Sequence, residues 1–494
     1  MEFRFHCPKC NQKLKAELES AGMLCHCPSC GTDFRIPQPP SPSDPSPSGS
    51  GPSARRESSP RPISPTGGQH TCPACWEKFD TGDMMHIAAH DSLRGDPVLG
   101  PDVQQRFKAT RFNRAGQALD AMGLPVFDLA CPHCRRKLPP GFVEIPHHII
   151  SLVGDQSAGK SYFLAVMAKV FPGLIFQRFD VIFADTDPTA NAPLNQMRNA
   201  LFGGDGSSSV KLAKTVLEGA MYQQFPRHGR MVALPRPFIY TLTPRNKGEK
   251  QCNLVFYDNA GEHFQPGVNI VEQPGAQHVA SASGIMFLFD PMNSPEFRYA
   301  IDPNHESGKR GRISLSKDDF NSIPMNQDIN DIVAQFEKPI VDQQDIILAE
   351  MRARIQGIKN LRMDETPNAP VAFIVGKCDT WVHLLKDTPL RDEPFNKSAT
   401  ESNSRIVRNL LLRLCPSVVA NAERLSSNIK YFATSSFGHT PEKIGPGEFA
   451  PVRNRLRPVR VEMPLMWILS QITPSILSNV EAGASREFAS TASK

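Results

Sequence analysis

The chain carries little net charge for its length: 55 lysines and arginines against 50 aspartates and glutamates leave +5 over 494 residues. So small an excess gives no reason to propose nucleic acid as a partner, since a basic footprint is what phosphate backbones require. Long apolar runs are missing as well: read along the sequence, none extends to the roughly 18 residues of a membrane span. The opening MEFRFHCPKC has no apolar core of the kind a secretory signal needs. These absences predict a cytoplasmic protein, at most peripheral at the inner membrane. Apolar content, 40%, is slightly low and 45 prolines are many. That combination predicts a globular protein with at least one disordered segment. The length suffices for about two to four domains and for one large core.

Twelve cysteines are present, and eight of them fall in four C-P-x-C pairs. This is metal-ligand spacing rather than a secreted disulfide framework. Cys7 and Cys10 are followed after 16 residues by Cys27 and Cys30. Two such tight knuckles turn their sulfurs toward one tetrahedral Zn²⁺, and a module of this size needs the metal for its folding energy. Cys25 is a spare thiol outside the C-x-x-C spacing. The second set leaves two readings. Cys72 and Cys75 can join Cys131 and Cys134 across 55 residues, the preferred reading, or join His86 and His90 in C-x2-C-x10-H-x3-H. In the latter, Cys131 and Cys134 would need His147 or His148. Either reading is structural, with no open catalytic position.

Five parts follow. Residues 1–37 form a zinc ribbon, 38–69 a Pro/Ser-rich disordered linker, and 70–145 a second zinc-binding module. Residues 146–475 form an α/β domain, and 476–494 a flexible tail. In the α/β part, apolar runs predict strands at His148–Val153, Pro237–Leu242, Asn253–Tyr257, Gly284–Phe289, Val371–Val375 and Ile429–Ala433. Alternation with helical stretches predicts a parallel sheet covered by helices. Polar insertions interrupt it near 185–230 and 295–335. The spacing of Ile346, Leu348, Met351 and Ile355 predicts one packed helix.

Chemistry enters at Gly154-Asp155-Gln156-Ser157-Ala158-Gly159-Lys160-Ser161, behind a strand and ahead of a helix that opens with Tyr162. This is the G-x-x-x-x-G-K-S phosphate loop. Its backbone N–H groups and the helix N-terminus would cradle phosphates, Lys160 would reach the β- and γ-phosphates, and Ser161 would ligate Mg²⁺. Next, Asp258-Asn-Ala-Gly261 ends an apolar strand as D-x-x-G, where the Asp holds Mg²⁺ through water and the Gly N–H meets the terminal phosphate. Gly376-Lys377-Cys378-Asp379 closes a later strand and is similar to the N/T-K-x-D base-reading motif. Asp379 would accept from guanine N1–H and N2–H, and Gly376 stands where Asn is usual. Thr434-Ser435-Ser436 follows the last strand at the place of a further base-contact loop.

In this order the motifs resemble a Ras-like GTPase of the translation-factor-related clade, a P-loop three-layer sandwich. More narrowly, CPHCRRKLP directly ahead of the P-loop strand and the closing VEMPLMWILS resemble the bacterial double-GTPase type 2 domains, over roughly residues 70–475. The resemblance implies a Mg²⁺-dependent GTP switch that works with a partner GTPase, or with itself as a dimer, in a bacterial conflict or membrane-linked complex. The phosphate loop is also similar to that of dynamins, which implies that Gln156 and Ser157 position the attacking water and a monovalent cation. No threonine stands at the matching switch I place, where Ala233 and Leu234 occur; Thr189 and Thr215 are the candidates. Glu262 follows D-x-x-G where a water-orienting Gln is usual, and His263 lies one residue beyond. A carboxylate there repels phosphate charge, so the expectation is slow intrinsic hydrolysis accelerated by a partner. Two rivals remain: a nucleotide-gated adaptor that hardly hydrolyses, and an ATPase of the same fold, which Gly376 permits.

Overall fold

The computed structural model describes residues 2–7, 9–10, 12–17, 20, 22–36, 68–155, 158–204, 208–212, 221–227, 230–245, 250–258, 277–302, 343–392, 395–445 and 448–477. The linker up to residue 67, Gln156, Ser157, Thr215, the stretch with Gly261, Glu262 and His263, and the tail from 478 lie outside them. Two compact units divide the chain, Met1–Arg61 and Pro62–Lys494.

In the small unit, strands Glu2–His6 and Lys13–Glu17 pair, as do Leu24–His26 and Asp33–Arg35. Each hairpin carries one cysteine knuckle at its turn. The turns are closed by backbone bonds from Cys7 N to Gln12 O (2.9 Å) and from Cys27 N to Thr32 O (3.0 Å).

The large unit is built on seven strands: β1 (His147–Gly154), β2 (Val181–Asp185), β3 (Phe238–Pro244), β4 (Cys252–Asp258), β5 (Gly284–Phe289), β6 (Val371–Val375) and β7 (Ile429–Ala433). Their order is β2-β3-β4-β1-β5-β6-β7. The inner strands read as continuous apolar runs because both faces are covered. The sheet is mixed, which corrects the all-parallel expectation. β3 runs antiparallel to β4, and β2 antiparallel to β3. A buried strand presents the same run whichever way it points, so direction was not readable.

One face packs Ile150, Leu152, Leu254, Phe256 and Met286 against α1 (Lys160–Phe179), α2 (Ala192–Phe202) and the C-terminal helix Met463–Ile472. The other packs Val153, Val255, Phe287 and Phe373 against the helices Gln343–Lys359, Lys397–Leu414 and Pro416–Leu425. On the first of these, Ile347, Leu348, Met351 and Ile355 are buried, so Ile347 takes the inward place expected of Ile346. By length and composition α1 is apolar enough to cross a membrane, and half of its most apolar window is buried in this core. A core helix of a large sheet meets the same criterion.

The 70–145 region shares the second core. Trp76 and Phe79 belong to the same buried cluster as Tyr257 and Phe287. Trp76 sits edge-on to Tyr257 at 5.9 Å, and the Tyr257 hydroxyl donates to Pro73 O within the knuckle. Tyr257 stacks in turn on His278 at 4.7 Å, whose Nδ1 meets Ser151 Oγ at 2.6 Å.

Candidate functional site

Among the described residues two groups of four thiols come together: Cys7, Cys10, Cys27 and Cys30 in the small unit, and Cys72, Cys75, Cys131 and Cys134 in the large one. Within each group all sulfurs lie within 4.8 Å of one another, the spread that one tetrahedral ion spans. In the second group all four residues are buried. The knuckle at 72–75 joins strands Gln69–Thr71 and Lys78–Asp80. The knuckle at 131–134 follows Leu129–Ala130, which pairs with Met85–Ile87. The 55 intervening residues thus fold back as small strands and close the site. Hydrogen bonds from Cys134, Cys72 and Cys75 hold the Cys131 thiol far below its ordinary range. The Thr32 hydroxyl lowers Cys30 to about 6 in the first group. Burial raises Cys72, the side-chain bond with Cys131 raises Cys75, and Cys10 is raised to about 11, so the neighbouring thiols keep their protons and donate to these two sulfurs; the thiolate is the metal-binding form.

The histidine alternative is set aside by position. His90 Nδ1 meets Ser92 Oγ at 2.7 Å, and His86 stacks obliquely on Phe107 at 5.9 Å. His147 lies against Phe142 at 4.5 Å, its pKa pushed down to about 4 by burial. Burial lowers His148 as well. Cys25 pairs opposite Phe34 in its hairpin and is no part of the four-sulfur group.

A second constellation gathers at the carboxyl ends of β1, β4, β5, β6 and β7, where ligands bind in open α/β sheets. β1 ends at Gly154. A Cβ there would stand 2.3 Å from Leu288 O, so only glycine lets the loop pass β5 so closely. Gly159 takes the left-handed conformation, φ 88°, just before α1. Lys160 is buried, and its Nζ donates to Gly154 O (3.0 Å) and Asp155 O (2.7 Å). Ser161 Oγ donates to Asp258 Oδ2 at 2.5 Å. Asp258 is itself buried at the end of β4, and its neighbour Tyr257 is the residue held by the second cysteine knuckle.

Lys377 has φ 53° and its Nζ donates to the buried Asp290 at 2.6 Å. Asp379 is half-buried in the short helix Cys378–Trp381, which Trp381 Nε1 anchors to Gly376 O (2.8 Å). Cys378 N donates to Thr434 O (2.9 Å), which brings the two expected base loops together. Ser435 is buried and its Oγ accepts from Gly438 N at 2.8 Å, so that hydroxyl is engaged within its own loop. Tyr162 faces Phe437 edge-on at 5.1 Å, and its hydroxyl accepts from Leu212 N. Ala158 packs in the core beside α1. Thr189 is exposed ahead of α2. Leu234 is buried in a strand, Arg230–Pro235, paired with Tyr222–Arg227. Sequence reasoning missed Asp290 and Asn293. Their signal was present: a carboxylate directly after the apolar run GIMFLF, then a Pro-Met-Asn turn.

These features define an α/β protein with a seven-stranded mixed sheet and two four-cysteine clusters fit for metal. No family model matches the chain. It is 22% identical over 389 residues, 72% of its length and 82% of the relative's, to the protein named "Putative ESX-1 scaffolding and assembly protein SaeC" of Mycolicibacterium smegmatis.

Proposed function

We propose that the large unit is a Ras-like P-loop GTPase of the double-GTPase type. It binds GTP with Mg²⁺ and hydrolyses it slowly, while the chain's two zinc-binding modules, one in each unit, dock protein partners in the cytoplasm. The observation that carries this reading is the meeting of Lys160, Ser161 and Asp258 beside Gly154. It gives a buried cation under a glycine loop, with a hydroxyl and a carboxylate in contact. Hard oxygens of this kind suit Mg²⁺, which Ser161 and Asp258 would hold. When bound, Mg²⁺ neutralises charge on the terminal phosphates. Lys160 would meet the same phosphates as a point charge.

The four-cysteine clusters fit Zn²⁺ by donor number and spread. The second reading is a nucleotide-gated adaptor with little turnover. It is favoured by the likeness to a protein named for scaffolding and assembly, and single-turnover hydrolysis separates it from the first. A protein partner suits both readings.

Base choice tests the proposal. The Asp379 carboxylate has two lone-pair directions for guanine N1–H and N2–H, and the wrong base leaves it unpaired. In Asp379→Asn the amide offers a donor where xanthine carries an oxo group. The ratio of XTP to GTP affinity should rise by about 100-fold or more in this variant. An unchanged ratio in a folded variant removes Asp379 from the base and moves the ATPase reading ahead.

A further inference from the structure

The phosphate loop and the Lys377 loop follow β1 and β6, and β5 lies between those two strands in the sheet. The turn after β5, residues 290–294, therefore stands between the two loops, and it bonds to both. Asn293 Nδ2 donates to Asp155 Oδ2 at 2.9 Å, inside the phosphate loop. Lys377 Nζ donates to Asp290 Oδ2 at 2.6 Å.

The turn is itself held. Asp290 Oδ1 accepts from Met292 N (3.0 Å). The buried Gln344 amide brackets the Asp290 backbone, accepting from its N–H (2.7 Å) and donating to its C=O (3.1 Å). Arg298 Nε donates to Met292 O (2.7 Å), and Ser294 Oγ meets Cys415 Sγ at 3.3 Å. A turn fixed on three sides transmits a spacing rather than absorbing it.

Gly376 contributes no side chain to this tie. A Cβ there would make only ordinary contacts, 3.5 Å to Leu288 Cδ1 and Phe289 O, so its absence is not forced by crowding. The side chain that reaches the phosphate loop comes instead from the neighbouring strand end.

Resting on the GTP-binding reading above, we infer that Asn293 and Asp290 are positioning residues that set the separation between the phosphate loop and the base-reading loop. They thereby select ligands that carry a base and a triphosphate at once. A ligand that fills the phosphate loop alone is indifferent to that spacing. A nucleoside triphosphate spans it and feels any slack.

The test compares Mg-GTP with Mg-tripolyphosphate, by calorimetry, on the full chain. Asn293→Ala should weaken GTP about tenfold, while tripolyphosphate affinity and the melting temperature stay as in the wild type. Asn293→Asp should cost more, because it sets two carboxylates face to face. The exchange Asp155→Asn with Asn293→Asp restores one donor and one acceptor and should recover most of the GTP affinity relative to Asn293→Asp. Equal losses on both ligands, no loss on GTP, or no recovery in the exchange would each overturn the inference. A wild type that binds neither ligand overturns the phosphate-loop reading and this inference with it. One that binds tripolyphosphate but not GTP overturns the base-reading half of that account, and the inference with it.

Discussion

Replacing Cys131 and Cys134 together by serine should release one Zn²⁺ per chain and unfold much of the large unit at 37 °C. Those sulfurs lie in the same buried core as Trp76, Tyr257 and Phe287. A structural zinc contributes roughly 10–16 kcal/mol of apparent binding energy in small zinc modules. Domain stability is only about 5–15 kcal/mol, so the loss is of the same order as the whole margin. The damage should also reach the proposed phosphate site. Tyr257 is gripped by the Pro73 carbonyl, and the next residue, Asp258, meets Ser161.

Cys7→Ser with Cys10→Ser should release the other zinc, yet leave the main melting transition and GTP affinity unchanged, since that cluster belongs to a separate compact unit. Metal analysis of the purified chain with differential scanning calorimetry checks both. Fewer than two zincs in the wild type, or zinc lost on replacing His86 and His90, would overturn the assignment.

Lys160→Ala should lower nucleotide affinity by about 100-fold or more. A hydrogen bond to a charged group is worth about 1.5–3 kcal/mol, and each 1.4 kcal/mol is a factor of ten. Two effects add. The phosphates lose their cation, and the carbonyls of Gly154 and Asp155 lose the donor that holds the loop in shape. The fold should persist, because the apolar residues of α1, not Lys160, fill the core. Fluorescence titration with a labelled guanine nucleotide measures the loss. Micromolar affinity retained in this variant would refute the phosphate-loop assignment.

Much of the sheet was legible because six strands are largely apolar, and each appears within two residues of its expected ends. β2 was not read. As an edge strand it alternates buried and exposed residues and ends in Asp185, so it merges into the polar insertion. The hairpin Tyr222–Arg227 with Arg230–Pro235 carries Pro226 and Pro235, which read as breaks rather than strand.

The cysteine pairs were legible as pairs, and Cys131 with Cys134 was the preferred partner of Cys72 and Cys75; His86 and His90 stayed open beside them because 55 residues of chain carry no length signal for a loop that folds back on itself. The packing of Trp76 on Tyr257 is a long-range contact, which no local pattern records. That Gly154, Lys160, Ser161 and Asp258 stand together was legible from the strand-loop-helix order of the sequence. The place of Asn293 was not, because its bond to Asp155 joins two strand ends far apart in the chain.

Guanine-nucleotide binding by the large unit is the property on which the proposed function stands. Its most direct test is competition: a labelled guanine nucleotide bound to the full chain with Mg²⁺, displaced by unlabelled GTP and, separately, by ATP. The account predicts displacement by GTP at about 100-fold or more lower concentration than ATP. Equal displacement by both, displacement by ATP alone, or no binding of the labelled nucleotide would contradict it.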